Sequence, residues 1–225
     1  TACRFKNCQV LAIDLSVASL AYAKRQSEEL GVKNIDYLQA DILDLSKLGR
    51  EFDIIESVGA LHHMSSPLTG WRILVNCLKH GGLMRLGLYS DIARKNIVKI
   101  RNEVGNGLIG SKNSDLILFR TQLILSNKEH HKQITNLQDF YSLSELRDLL
   151  FHTQEWRYNL SEIDTAITDL GLKFSGFEIE NKLRKRFSKR FPSPSDIYNL
   201  DVWNNYEIQN PSIFSGMYQF WCQKA

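Results

Sequence analysis

Short apolar runs that close on an acid, separated by helix-length stretches, fill the first 90 residues and narrow the fold more than any other feature. Residues 9–14 (Q-V-L-A-I-D) are continuously apolar up to Asp14, the pattern of a strand buried on both faces in a parallel sheet. Ser16 is placed to cap a helix over 17–30, which Gly31 stops. Residues 34–40 (N-I-D-Y-L-Q-A) predict a second strand followed by Asp41, and 52–57 (F-D-I-I-E-S) a third. Ser66 and Pro67 open the next helix, with proline at its favoured first position. Trp71, Leu74, Val75 and Leu78 form its inward stripe, Gly81-Gly82 ends it, and 83–88 is a fourth strand. Strands and helices alternating at this spacing mean an α/β layer fold with a mostly parallel sheet.

The alternation stops after residue 90. Residues 91–160 read as helices broken by Gly and Asn around 105–113, with a capping-box pattern at Ser142–Glu145. A last helix is expected over 161–170, an alternating strand over 173–180, a basic, proline-containing connection over 181–200, a short helix over 196–207, and a closing strand over 216–223. The organisation is therefore a core over 1–90, a helical lid or insertion over 91–160, and a return to the core over 161–225. With 43% hydrophobic and 24% charged residues, the chain is neither disordered nor fibrous. Four scattered cysteines rule out a disulfide scaffold, and no C-x-x-C pair suggests a zinc ribbon. No apolar run reaches the roughly 20 residues of a membrane span, and no leader is evident, so a cytoplasmic protein is expected. A net charge of +3 demands no nucleic-acid partner.

In an open α/β sheet, ligands bind outside the carboxyl ends of the strands. Asp14 stands at such an end and can accept two hydrogen bonds from a ribose diol; it can equally cap the following helix. Asp41 can accept an adenine amino proton while Ile42 packs on the ring, or cap the segment after it. Beyond the third strand come Glu56-Ser57-Val58-Gly59 and then His62-His63, candidates for a general base. Adjacent loop histidines seldom share one ion, and no third ligand follows nearby, so no metal is implied there.

Four segments, V-L-A-I-D-L-S (10–16), Q-A-D-I-L-D-L (39–45), F-D-I-I-E-S-V-G-A-L-H-H-M (52–64) and H-G-G-L-M-R-L-G-L-Y-S (80–90), resemble in order and spacing the class I S-adenosylmethionine-dependent methyltransferases, a Rossmann-like family. The pair K-F-S-G-F-E-I and G-M-Y-Q-F-W-C-Q looks like that family's closing β-hairpin, and the wording around L-H-H-M is similar to the subgroup found fused to tetratricopeptide repeats. The resemblance implies S-adenosyl-L-methionine as cofactor. It places Asp14 on the ribose with Leu15 near the adenine, Asp41 and Ile42 at the adenine, and Glu56, Ser57 and Val58 beside the methionine part. His62 and His63 would then stand at the substrate mouth, one of them as base. The family's glycine-rich loop and first strand have no counterpart among these residues; they would precede residue 1. The fold expected is thus an N-terminally truncated methyltransferase sheet whose second and fourth strands flank a gap, and the chain could be an inactive fragment.

Tyr89, after the fourth strand, and His152 and Arg157, where the helical segment returns to the core, are the candidates to meet a methyl acceptor, whose identity the residues do not name. Arg94, His130, His131, Glu155 and Tyr158 fall in or beside that segment. The basic run L-R-K-R-F-S-K-R (183–190) reads as a solvated loop. Two other classes fit Asp14: a nicotinamide-dependent Rossmann oxidoreductase, and a non-catalytic interaction module.

Overall fold

The computed structural model describes residues 1–104, 112–151 and 154–225, whose strands fall into two sheets. In the smaller sheet, β1 (Val10–Asp14) pairs in parallel with β2 (Ile35–Gln39), and α1 (Val17–Glu29) crosses between them. The larger sheet runs β3 (Phe52–Val58), β4 (Leu78–Ser90), β7 (Tyr218–Lys224), β6 (Leu172–Phe177). β3 and β4 are parallel, β7 is antiparallel to both its neighbours, and a two-residue β5 (Arg157–Tyr158) pairs with the end of β4. The strands are ordered β2-β1 in one sheet and β3-β4-β7-β6 in the other; no ladder joins β1 to β3 among the described residues, which leaves the gap that the family resemblance implies.

That gap explains one departure from expectation. Residues 9–14 read as a strand buried on both faces, yet no residue of β1 is buried, and none of α1 is. β1 is laddered on one edge only, and apolar Leu15, Val17 and Tyr22 lie open. The small sheet meets the main core through Ile13 of β1 and through the 3₁₀ turn Ile42–Leu48, whose buried Leu45 joins that core with Ile42 and Leu48 beside it.

α2 (Pro67–Asn76) sends Trp71, Leu74 and Val75 into that core. It ends at Cys77, earlier than Gly81-Gly82 suggested. The glycine pair lies inside β4 instead, where the partners of β3 jump from Leu78 to Leu83 and Gly81 takes a φ of 73°. A bulge needs this left-handed backbone, which glycine adopts without penalty. Beyond the bulge, Met84, Leu86 and Leu88 of β4 are fully buried, while Arg85 and Tyr89 face the other way beside buried Gly87. On that other face, Ile54 and Val58 of β3 are exposed and Arg85 bridges Glu56 and Glu178.

α7 (Leu160–Asp169) covers β6, held at its start by a capping box between Asn159 and Glu162. The segment read as a loop over 181–200 contains a helix, α8 (Asn181–Arg190). Its buried Phe187 stacks on Trp203 of α9 (Leu200–Gln209) at 3.6 Å between ring centroids, 11° from parallel. Asn199 caps α9 by accepting two backbone amides. The remaining helices, α3 (Lys95–Val104), α4 (Asn113–Leu125), α5 (Glu129–Ile134) and α6 (Leu143–Phe151), enclose a second core around Ile97, Ile100, Leu123, Phe140, Leu146 and Leu150. α3 to α6 thus pack on one another around a core of their own.

Candidate functional site

At the end of β3 the backbone turns at Gly59, with a φ of 87°, into a short turn Leu61–His63. That turn brings His62 under Tyr89 at the end of β4, ring centroids 3.9 Å apart. Tyr89 is covered in turn by the Arg94 guanidinium, 3.7 Å from its ring centre, a cation on an aromatic face. His63 packs edge-on against His62 at 4.4 Å. The return from the helical unit closes this column from the far side. Trp156 donates its backbone N–H to the His62 carbonyl at 2.8 Å, and Gln154 donates from its side chain to the Met64 carbonyl.

The two histidines differ chemically. His62 is completely buried and neither ring nitrogen has a hydrogen-bond partner among the described residues. Burial, reinforced by His63, pushes its pKa down to about 3, so the ring is neutral at ordinary pH. His63 is half-buried, and its Nδ1 lies 3.1 Å from the Gln154 carbonyl. A carbonyl only accepts, so Nδ1 carries the proton and Nε2 is the accepting nitrogen of the neutral ring.

Behind the column lies a charged knot. Glu155 accepts two hydrogen bonds from Arg94, at 3.0 and 2.7 Å, and one from Arg101 at 2.9 Å, while Arg157 stands 3.5 Å away. Burial alone would raise the Glu155 pKa, but the guanidiniums of Arg94, Arg101 and Arg157 together outweigh it and hold the carboxylate below 4.5. Arg157 also pairs with Asp91. A second buried carboxylate, Glu207, accepts from Ser90 at 2.5 Å and Tyr218 at 2.6 Å; burial raises its pKa despite both donors.

The remaining candidates lie apart from this column. Asp41 accepts the Leu43 amide and caps the turn after it, one of its two readings, whereas α1 is capped by Ser16 and Asp14 only accepts the Ser16 amide through Oδ1. Leu15 is exposed, Ile42 packs on the core, and the Gln39 side chain donates to the Leu15 carbonyl across the two strand ends. Glu56 pairs with Arg85 and also accepts from Thr1. Ser57 is buried with its hydroxyl unpartnered among the described residues, and Val58 is exposed beside it. The structure thus brings His62, His63 and Tyr89 together with Arg157 one residue behind them, and leaves Asp14 and Asp41 on the other sheet. His152 lies outside the described residues. Arg94 and Glu155 had been noted only as neighbours of the lid; their pairing spans 61 positions and left no local signal.

Residues 1–82 match a family described as a methyltransferase domain. The solved structure of PKMT2 from Rickettsia typhi superposes with a TM-score of 0.68 at 16% identity, covering 97% of this chain and 44% of that one. The same protein in complex with AdoHcy superposes with a TM-score of 0.64 at 15% identity, covering 95% and 43%. The fold is that of the class I methyltransferases. A protein from Synechococcus sp. is 27% identical over 92% of this chain and 53% of its own length, so the chain spans about half of the relative it matches. The antiparallel β6-β7 closure is the one expected from the sequence resemblance. No helix among the described residues is long and apolar enough to cross a membrane.

Proposed function

We propose that this chain is the catalytic-domain portion of an S-adenosylmethionine-dependent methyltransferase. The observation that carries the reading is the match of nearly the whole chain to a methyltransferase-fold structure with an AdoHcy-bound form. The nicotinamide and non-catalytic readings draw no support from these likenesses.

The residues present fit a polar ligand at the strand ends. Asp14 uses Oδ1 for the Ser16 amide and keeps Oδ2 for a ribose hydroxyl. The orphaned Ser57 hydroxyl at the end of β3 has a hydrogen bond to give, and a buried polar group gains most from a partner. Asp41 and Ile42 would hold the adenine, Glu56 and Val58 would border the methionine part, and Leu15 would pack near the base. When bound, the sulfonium cofactor supplies an activated methyl group, and the chain supplies positioning and a base.

His63 is the better base. A group with a pKa of about 3 removes protons weakly at neutral pH, so His62 serves as a neutral wall under Tyr89. His63 has its tautomer set by the Gln154 carbonyl, which directs Nε2 as the proton acceptor. Tyr89, Arg157 and His152 would border the acceptor, a soluble molecule or protein segment whose class these residues leave open.

Calorimetric titration of S-adenosylhomocysteine into the folded chain tests the reading. Saturable binding that Asp14→Ala abolishes is the expected result. No binding by a chain that circular dichroism shows to be folded would overturn the cofactor assignment, and undiminished binding by Asp14→Ala would overturn the role of Asp14.

A further inference from the structure

The helical unit holds a cluster that the methyl-transfer reading does not use. Glu103, near the end of α3, faces His130 and His131 at the start of α5. Its two carboxylate oxygens are divided between the rings: Oε1 lies 2.7 Å from His130 Nε2 and Oε2 lies 2.7 Å from His131 Nε2. Successive side chains on a helix point about 100° apart. These two rings nevertheless converge, packed edge to face at 4.4 Å, because the carboxylate stands between them. The three ligand atoms all lie within 4.8 Å of one another.

We propose that Glu103, His130 and His131 form a binding site for a divalent transition-metal ion of the zinc type, tying α3 to α5. Two imidazoles and one carboxylate are the donors such an ion prefers, and too nitrogen-rich for calcium or magnesium. Bonds of about 2.0–2.1 Å in a tetrahedral site place ligand atoms about 3.3 Å apart. The oxygens and nitrogens at 2.7 Å need to open by about half an ångström, and no pair needs to close by more than about 1.5 Å, adjustments within reach of side-chain torsions.

The surroundings permit this. The Glu103 carboxylate already faces both imidazoles and the Lys128 ammonium, so its two oxygens are turned toward the ligand nitrogens. The Lys128 ammonium lies 3.1 Å from Oε2; its side chain is 57% exposed and can swing into water. His131 is buried, with Nδ1 unpartnered among the described residues, so its Nε2 contact is the only polar interaction that offsets the ring's burial. Ligation through Nε2 requires each ring to carry its proton on Nδ1, so the metal bond replaces the hydrogen bond to Glu103 with a change of tautomer. The fourth position is left to water.

The test uses the full chain carrying Cys3→Ser and Cys8→Ser, because these two thiols are the accessible competing ligands. Equilibrium dialysis against zinc, with the metal counted by mass spectrometry, is expected to give one ion per chain. Glu103→Gln and His130→Ala lie on the more exposed side of the cluster and leave buried His131 in place. Each is expected to weaken binding by at least about 10- to 100-fold, the loss typical of even an outer-shell change. Zinc is also expected to raise the midpoint of thermal unfolding in the parent and not in His130→Ala. Failure of the chain carrying Cys3→Ser and Cys8→Ser to hold stoichiometric zinc, or zinc binding unchanged in both variants, would overturn the proposal.

Discussion

Removing the Glu155 carboxylate is the sharpest perturbation the structure offers. Its side chain is 1% exposed, its principal partner Arg94 is 3% exposed, and Arg101 is 16% exposed. Glu155→Ala therefore strands one guanidinium almost wholly out of water and a second largely so. Breaking a buried pair in this way costs about 3–5 kcal/mol, far above the fraction of a kilocalorie expected of a surface pair. For a domain of this size each kilocalorie lowers the unfolding midpoint by about 2–4 °C, so a fall of about 6–20 °C is expected. Arg94→Met alone should also destabilise, since it leaves Glu155 with less compensation. The double variant, with neither charge, should lose clearly less than the two single losses added together, because the uncompensated charge is gone. Glu155→Gln adds a pH readout. The native carboxylate has a pKa below that of the unfolded chain, so its contribution is present above about pH 4.3 and is lost as pH falls through the native value. Glu155→Gln should lack that acid limb. Thermal and urea unfolding measure all of this. A shift below about 2 °C for Glu155→Ala, or strict additivity with Arg94→Met, would refute the claim that Glu155 is the buried counter-charge of Arg94 and Arg101.

Three further outcomes are expected. His62→Phe should leave the thermal midpoint unchanged or raised, because it removes two buried nitrogens without partners. The native ring's pKa of about 3 lies below the unfolded value of about 6.5, so the parent loses stability as pH falls across that window and His62→Phe should not; equal pH profiles would contradict the burial argument. Glu207→Gln should gain on the parent as pH rises, since a carboxylate whose native pKa is raised contributes fully only below the unfolded pKa and loses that contribution as pH climbs through the native one. Urea titrations at pH 4.5 and pH 8 giving the same difference would count against it. Gly87→Ala should cost about 1–3 kcal/mol in urea unfolding, because a Cβ there would lie 2.7 Å from Val58 Cγ1 and 3.1 Å from its Cα; a neutral substitution would mean that β3 and β4 are less tightly apposed.

The strand and helix order was legible because it is written locally. Apolar runs with acids at their ends, Ser16, Pro67 and the alternation over β6 each report on a few neighbouring residues. Burial was not legible where it depends on what lies across a gap. The pattern of β1 is that of a doubly covered strand, but cover comes from other elements, and here one edge of β1 is unladdered. α8 escaped notice because six cations and the nearby prolines mask its only helical signal, Leu183 and Phe187 four residues apart; the pair acquires meaning once Phe187 meets Trp203.

The candidate site divides along the same line. Asp14, Asp41, Glu56 and the two histidines stand in local motifs and could be named. The differences that decide what each can do come from partners far away in the chain. His62 and His63 are adjacent and identical in sequence, yet one is sealed beneath Tyr89 and the other has its tautomer set by the Gln154 carbonyl 91 positions on. That carbonyl is placed by the same return segment that carries Glu155 and Trp156, and Trp156 in turn donates to the His62 backbone. The arginines on Glu155 therefore act at one remove on the proposed base: loosening them frees the segment that orients His63. Stability and chemistry should fall together in Glu155 variants, whereas in His62→Phe they should part, with the fold intact and the wall of the site altered.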